Sequence, residues 1–135
     1  MRAKENFPLS GLKIHPELIN GLALVKKACA RANLELGFLP SEIGQAIIAA
    51  REDLISGKLH KEIVVDALQG GAGTSSNMNI NEVIANRAIE ILGGEKGNYK
   101  LVHPINQVNL HQSTNDIYPT AIKIAAINLL HHLEK

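Results

Sequence analysis

From Pro16 onward, apolar residues return at alternating steps of four and three: Leu18, Leu22, Val25, Cys29, Ala32 and Leu36. That spacing puts one apolar stripe on a helix that starts at Pro16, a residue suited to a first helical turn, and stops at Gly37. A second helix is predicted from Ser41, whose hydroxyl can cap free N–H groups, to Ser56, with Ile43, Ile47, Ala50 and Leu54 on one side. The four residues 37–40 between them have the length that joins neighbouring antiparallel helices. Ile63, Val64 and Val65 form a run too short for periodicity to decide between a brief strand and an extended segment.

The third helix carries the clearest start signal. Asn79 can cap it and Glu82, three residues on, can return the bond, while Ile80, Val83, Ile84, Ile91 and Leu92 supply the apolar stripe and Gly93 and Gly94 end it. A polar loop leads to Asp116, and Pro119 then opens a fourth helix that is apolar on most of its circumference through Leu130. A helix of that kind needs cover on several sides, and other chains could supply it. Residues 1–15 show no sustained period and read as an irregular arm. The expected fold class is mainly α, with room for one or two short strands.

Composition narrows the function classes. An apolar fraction of 45% with 20% charged residues in 135 positions is enough to build one folded core. Fourteen basic against 13 acidic residues leave a net charge of +1, and no basic run tracks a phosphate backbone, so nucleic acid is not an expected partner. The one cysteine, Cys29, has no intrachain partner and reads as a small buried hydrophobe in a reducing compartment. No apolar run reaches the roughly 18 residues of a membrane span, and the opening residues lack a signal-peptide centre. A soluble, cytoplasmic protein without a membrane partner is expected.

Two polar clusters carry the candidate chemistry. Residues 69–79, QGGAGTSSNMN, combine glycines that let backbone approach a ligand with hydroxyls and amides that donate, just ahead of a helix start. That is an anion site in outline, and equally a Gly-rich turn with a cap. It is no phosphate loop, since no lysine follows Gly73, and G-x-G-x-x-G does not occur. Residues 111–116, HQSTND, are six consecutive polar side chains that alone make an ordinary capping loop. Asp116 there reads as a structural residue favouring the helix dipole. His103 and His111 stand at no recognised ligand spacing, so no metal is expected; His15 and His60 read as surface residues, and the adjacent His131 and His132 point to different sides of their helix.

Together the clusters are more specific. GGAGTSSNMNINEVIANRA followed by VNLHQSTNDIYPTA resembles the aspartase/fumarase superfamily, in its order and at about its separation, and RAKENFPLSGLKIHPELI resembles the aspartate ammonia-lyase version of the early region. The likeness runs along essentially the whole chain. It implies a helical N-terminal domain over 1–118, with 119–135 as the start of a central helical bundle through which the family forms homotetramers. It also implies the reversible anti-elimination of ammonia from L-aspartate to give fumarate, without a cofactor. Carried over by position, Thr74, Ser113, Thr114 and Asn115 bind the substrate, Ser75 and Asn77 support them, and Arg2 matches an arginine near the substrate whose charge suits a dicarboxylate.

The fumarase pattern has Ser-Ser-Asn-Asp where this chain has Ser113-Thr114-Asn115-Asp116, and an aspartate where Asn106 stands, so the resemblance leans to aspartase with fumarate hydratase as the alternative. The family's Ser-rich loop with its base and lysine, and its Thr-His pair, have no counterpart here. No catalytic residue is therefore expected within these 135 positions, and the chain by itself is expected to be inactive. A different class of reading is a non-catalytic helical module that binds a small dicarboxylate or a full-length lyase.

Overall fold

The computed structural model describes residue 5, residues 8–68 and residues 71–134. Arg2, and the Gln69 and Gly70 lead-in to the first cluster, lie outside the described residues. Four helices carry the fold: α1 (Pro16–Glu35), α2 (Ser41–Ile55), α3 (Thr74–Ile91) and α4 (Thr114–Leu133). A 3-10 turn at His60–Glu62 and one wide π turn at Pro104–Val108 punctuate the connections. The predominantly helical class is as the hydrophobic pattern predicts. There is no strand among the described residues.

The missing strand has a local cause. Asn79 does not cap α3 but sits inside it, and its side chain accepts from Val64 N at 2.9 Å and Val65 N at 3.4 Å while donating to the Glu62 carbonyl at 3.2 Å. Backbone groups that would seek a partner strand are met by this one amide. Helix α3 instead begins six residues earlier than the capping pattern predicts, after Gly73 at φ +83°. Helix α2 starts at the predicted Ser41, but that residue is the first helical position, and the preceding Pro40 offers no side-chain cap. Helix α4 begins at Thr114, capped by Ser113 accepting from Asn115 N at 3.2 Å, and so takes Pro119 into its second turn.

Helix α1 lies between α2 and α4, and α3 packs on α2. Its buried face differs from the predicted stripe. Ile19, Leu22, Ala23, Lys26, Ala30 and Asn33 are enclosed, whereas Leu36 is 70% exposed and Cys29 is half-buried. The rotation brings Gly21 against α4, where a β-carbon would stand 2.5 Å from the Ala121 carbonyl oxygen. Small residues Gly21, Ala121 and Ala125 thus set how closely the two helices approach. The arm ahead of α1 is tied down by Asp66, which accepts from Ser10 Oγ, Ser10 N, Gly11 N and Leu68 N. Those donors, the Ser10 hydroxyl foremost, hold its carboxyl well below the usual range.

The core also encloses two cations. Arg51 is fully buried in α2, and its Nε, Nη1 and Nη2 meet no hydrogen-bond partner among the described residues. Burial pushes Arg51 down to about 9; Lys26, buried beside it, falls to about 7, through burial first and the Arg51 charge second. An uncompensated buried charge opposes folding, so Arg51→Met is expected to stabilise the chain by about 1–4 kcal/mol, read as a higher urea midpoint. The pH dependence has the same origin. Between about 7 and the ordinary lysine value of 10.5 the unfolded chain binds the proton that folded Lys26 gives up, so stability rises with pH through that window and is lowest below it. A urea midpoint no higher at about pH 9 than at about pH 6 would count against this account.

Candidate functional site

The starts of α3 and α4 come together, and both predicted clusters meet there. A cavity of about 290 Å³ lies between the loop Gly71, Ala72, Gly73 on one side and Asn115, Tyr118 and Pro119 of α4 on the other, with Ser76 and Ala67 completing the wall. Among the described residues, no ionisable acid or base lines it apart from the Tyr118 phenol. The N–H groups in the first turn of α3 have no intrahelical partners, as at any helix start, and Gly73 has no side chain to cap them. Two helix N-termini at one cavity concentrate partial positive charge there.

Glycine is required at position 73 for two reasons. Its backbone adopts the left-handed region, and a β-carbon there would approach the Tyr118 ring to 2.5 Å. The close approach of Gly73 to Tyr118 brings the glycine loop over α4. Gly71 also takes a positive φ, of 87°, turning the loop back toward α3.

The predicted residues divide between places. Asn115 lines the cavity, and Thr74 is exposed at the first position of α3. Ser113 faces a separate, open concavity with Asn106, Asn109, Gln112 and Asp116. Thr114 lines neither; its Oγ1 accepts from Asn77 Nδ2 at 3.0 Å. Asn77 is 1% exposed, does not line the cavity, and also donates to Asn109 Oδ1 at 3.2 Å. Ser75 is half-buried.

Several participants escape the sequence reading. Ser76 and Tyr118 line the cavity beside the predicted Asn115. Asn109 receives hydrogen bonds from Asn77, Asn81 and Lys26, and Lys26 also donates to Gln112 Oε1 at 3.1 Å. Lys26 and Asn33 were absent from the predicted apolar stripe of α1 because polar residues at those spacings ordinarily face water. Here they hold the loop ahead of α4: Asn33 Nδ2 donates to the Leu110 carbonyl at 3.1 Å, and its Oδ1 lies 2.9 Å from His111 Nδ1. His111, at φ +57°, packs edge-on against Phe38 with ring centroids 4.7 Å apart.

Two of the other histidines cap local structure. His15 caps α1 by accepting from Glu17 N, and His103 caps the π turn by accepting from Ile105 N and Asn106 N. His60 is half-buried rather than on the surface, since it lies against the arm and the segment around Ile63. No group of three His, Cys, Asp or Glu with metal-binding geometry occurs among the described residues. Nor is any described helix long and apolar enough to cross a membrane.

Comparison with known proteins gives the same direction. A family model described as lyase matches residues 1–135. The chain is similar to an aspartate ammonia-lyase from a Bacillus species, 56% identical over 133 residues, which cover 98% of this chain and 28% of that protein. It is also similar to a class II fumarate hydratase from Ralstonia nicotianae, 47% identical over 129 residues, covering 96% of this chain and 28% of that one. Among solved structures, a fumarate lyase:delta crystallin from Brucella melitensis superposes with a TM-score of 0.91 at 55% identity, over 93% of this chain and 30% of that chain. The chain thus spans less than a third of the length of these relatives.

Proposed function

Because the chain belongs to the lyase family that includes aspartate ammonia-lyases and class II fumarate hydratases, we propose that it is the N-terminal part of an aspartate ammonia-lyase. The whole protein then converts L-aspartate reversibly to fumarate and ammonia. The observation that carries this reading is the junction of two helix N-termini over a cavity walled by Asn115, Ser76 and the glycine loop. Such a site holds a carboxylate by fixed N–H and amide donors.

In the elimination, a base takes the proton from the carbon next to one carboxylate, the electron pair forms the double bond, and ammonia leaves from the neighbouring carbon. Negative charge accumulates on the carboxylate next to the deprotonated carbon, so donors fixed before the reaction lower the barrier. Asn115 and Thr74, with Ser113 and Thr114, supply such donors in this reading, while Ser75 and Asn77 support them and Arg2 adds charge. The base acts from elsewhere in the complete protein, and the 135 residues alone have no turnover.

The same reading makes residues 119–135 the start of a central bundle in a homotetramer. Ile122, Ile127, Leu130 and Leu133, exposed on α4, are suited to contacts with further helices. It also places the enzyme in the cytoplasm. Fumarate hydratase is the second reading, favoured by the 47% identity to the Ralstonia protein. Offering aspartate and malate separately to the full-length protein, and following fumarate by its ultraviolet absorbance, distinguishes them. Fumarate from aspartate with ammonia release is expected; formation from malate alone establishes the second reading, and formation from neither removes both.

A further inference from the structure

We propose that Lys26, Asn109 and Asn77 form a hydrogen-bond relay that fixes the direction of the Thr114 hydroxyl, leaving its proton available to an anion at the start of α4. Asn109 is the positioning residue at its centre. The inference rests on the carboxylate-binding reading above and adds a residue set to it.

The relay has one consistent polarity. Gln112 Nε2 donates to the carbonyls of Val108 and Leu110, groups that only accept, which turns Gln112 Oε1 toward Lys26. Asn109 is fixed in the same way at both ends: its Nδ2 donates to the Gln112 carbonyl at 3.0 Å, and its Oδ1 accepts from Lys26 Nζ at 3.4 Å. Lys26 therefore serves as a double donor. A neutral amine has two N–H groups and an ammonium three, so the depressed titration of this buried lysine leaves the polarity unchanged.

With its oxygen so directed, Asn109 obliges every amide facing it to present N–H. Asn81 does so at 3.1 Å and Asn77 at 3.2 Å. The Asn77 Nδ2 has two protons; the second goes to Thr114 Oγ1 at 3.0 Å. Thr114 then accepts inward, and its single proton is left for a different acceptor. The imposed orientation shows in what it leaves unmet, since the Oδ1 atoms of Asn77 and Asn81 are enclosed without a hydrogen-bond partner among the described residues. Lys26 is 0% and Asn77 1% exposed, so water has little access with which to relax the arrangement.

The test is a double-mutant cycle in the full-length protein. Asn109→Leu is expected to lower kcat/KM for aspartate at least about tenfold. Thr114→Val removes the relayed proton. If Asn109 acts through Thr114, adding Asn109→Leu to Thr114→Val lowers kcat/KM little further. Losses that multiply overturn the relay. Lys26→Met, which removes the outermost donor and leaves Asn109 in place, provides a second cycle if Asn109→Leu does not fold. Wild-type protein inactive on both aspartate and malate overturns the substrate reading instead, whereas an active wild type with multiplying losses overturns the relay alone.

Discussion

Asn115→Ala in the full-length protein is expected to reduce fumarate formation from aspartate by about 10²–10³-fold, the loss typical of removing one fixed donor from developing negative charge. Asn115 is the predicted substrate residue that lines the cavity between α3 and α4. Its side chain projects from the second position of α4, where the backbone is already held by the Ser113 cap, so truncation removes a donor without undoing the helix start. Thr74→Ala is expected to act in the same direction through the other helix N-terminus. Steady-state kinetics on folded variants check both, and unchanged turnover in the pair would falsify the site assignment. A loss confined to KM would mean that Asn115 contributes equally to substrate and transition state.

Gly73→Ala is the second large effect. A residue with a β-carbon in the left-handed region costs about 1–2 kcal/mol, and here the new methyl also meets the Tyr118 ring at 2.5 Å. The ring must move or the glycine loop must lift, and either change opens the junction of the two helix starts. The expected result is a destabilisation of about 2 kcal/mol or more in urea unfolding, with weakened dicarboxylate binding in the full-length protein. Gly71→Ala separates the causes: Gly71 has φ +87° but, among the described residues, no atom within 4 Å of its would-be β-carbon. It should show the backbone penalty alone. Equal effects at the two positions would show that contact with Tyr118 contributes nothing.

Much of the helical framework was legible because local spacing encodes it. The ends of α1 and α2, with Gly37 and Gly57 beyond them, follow from periodicity and from glycines at positive φ. The starts of α3 and α4 were misplaced toward later residues, for two different reasons. At α3, a glycine served as the cap and the apparent capping residue Asn79 was engaged with Val64 and Val65. At α4, a proline that suits a first turn was tolerated one turn further in, with Ser113 as the true cap. Capping signals identify residues able to end a helix, but several such residues competed at each start.

The polar clusters were legible as a pair, and the same pairing carried the family resemblance. Their internal division was not. Sequence order gave Ser113, Thr114 and Asn115 one common role, whereas consecutive residues at a helix start point about 100° apart, and the structure sends them to a concavity, an amide and a cavity respectively.

By itself the sequence determined that the chain is helical and where α1 and α2 end, and it marked two donor-rich segments. These are properties of spacing and residue type, which act over a few positions. Tertiary structure decided which face of α1 is buried, that Lys26 and Asn33 serve the interior, and that Asn109 joins residues far apart in the chain. A polar side chain faces inward only when a complementary donor or acceptor arrives from another element, and that partner is set by the packing of α1, α3 and α4 rather than by its neighbours in sequence.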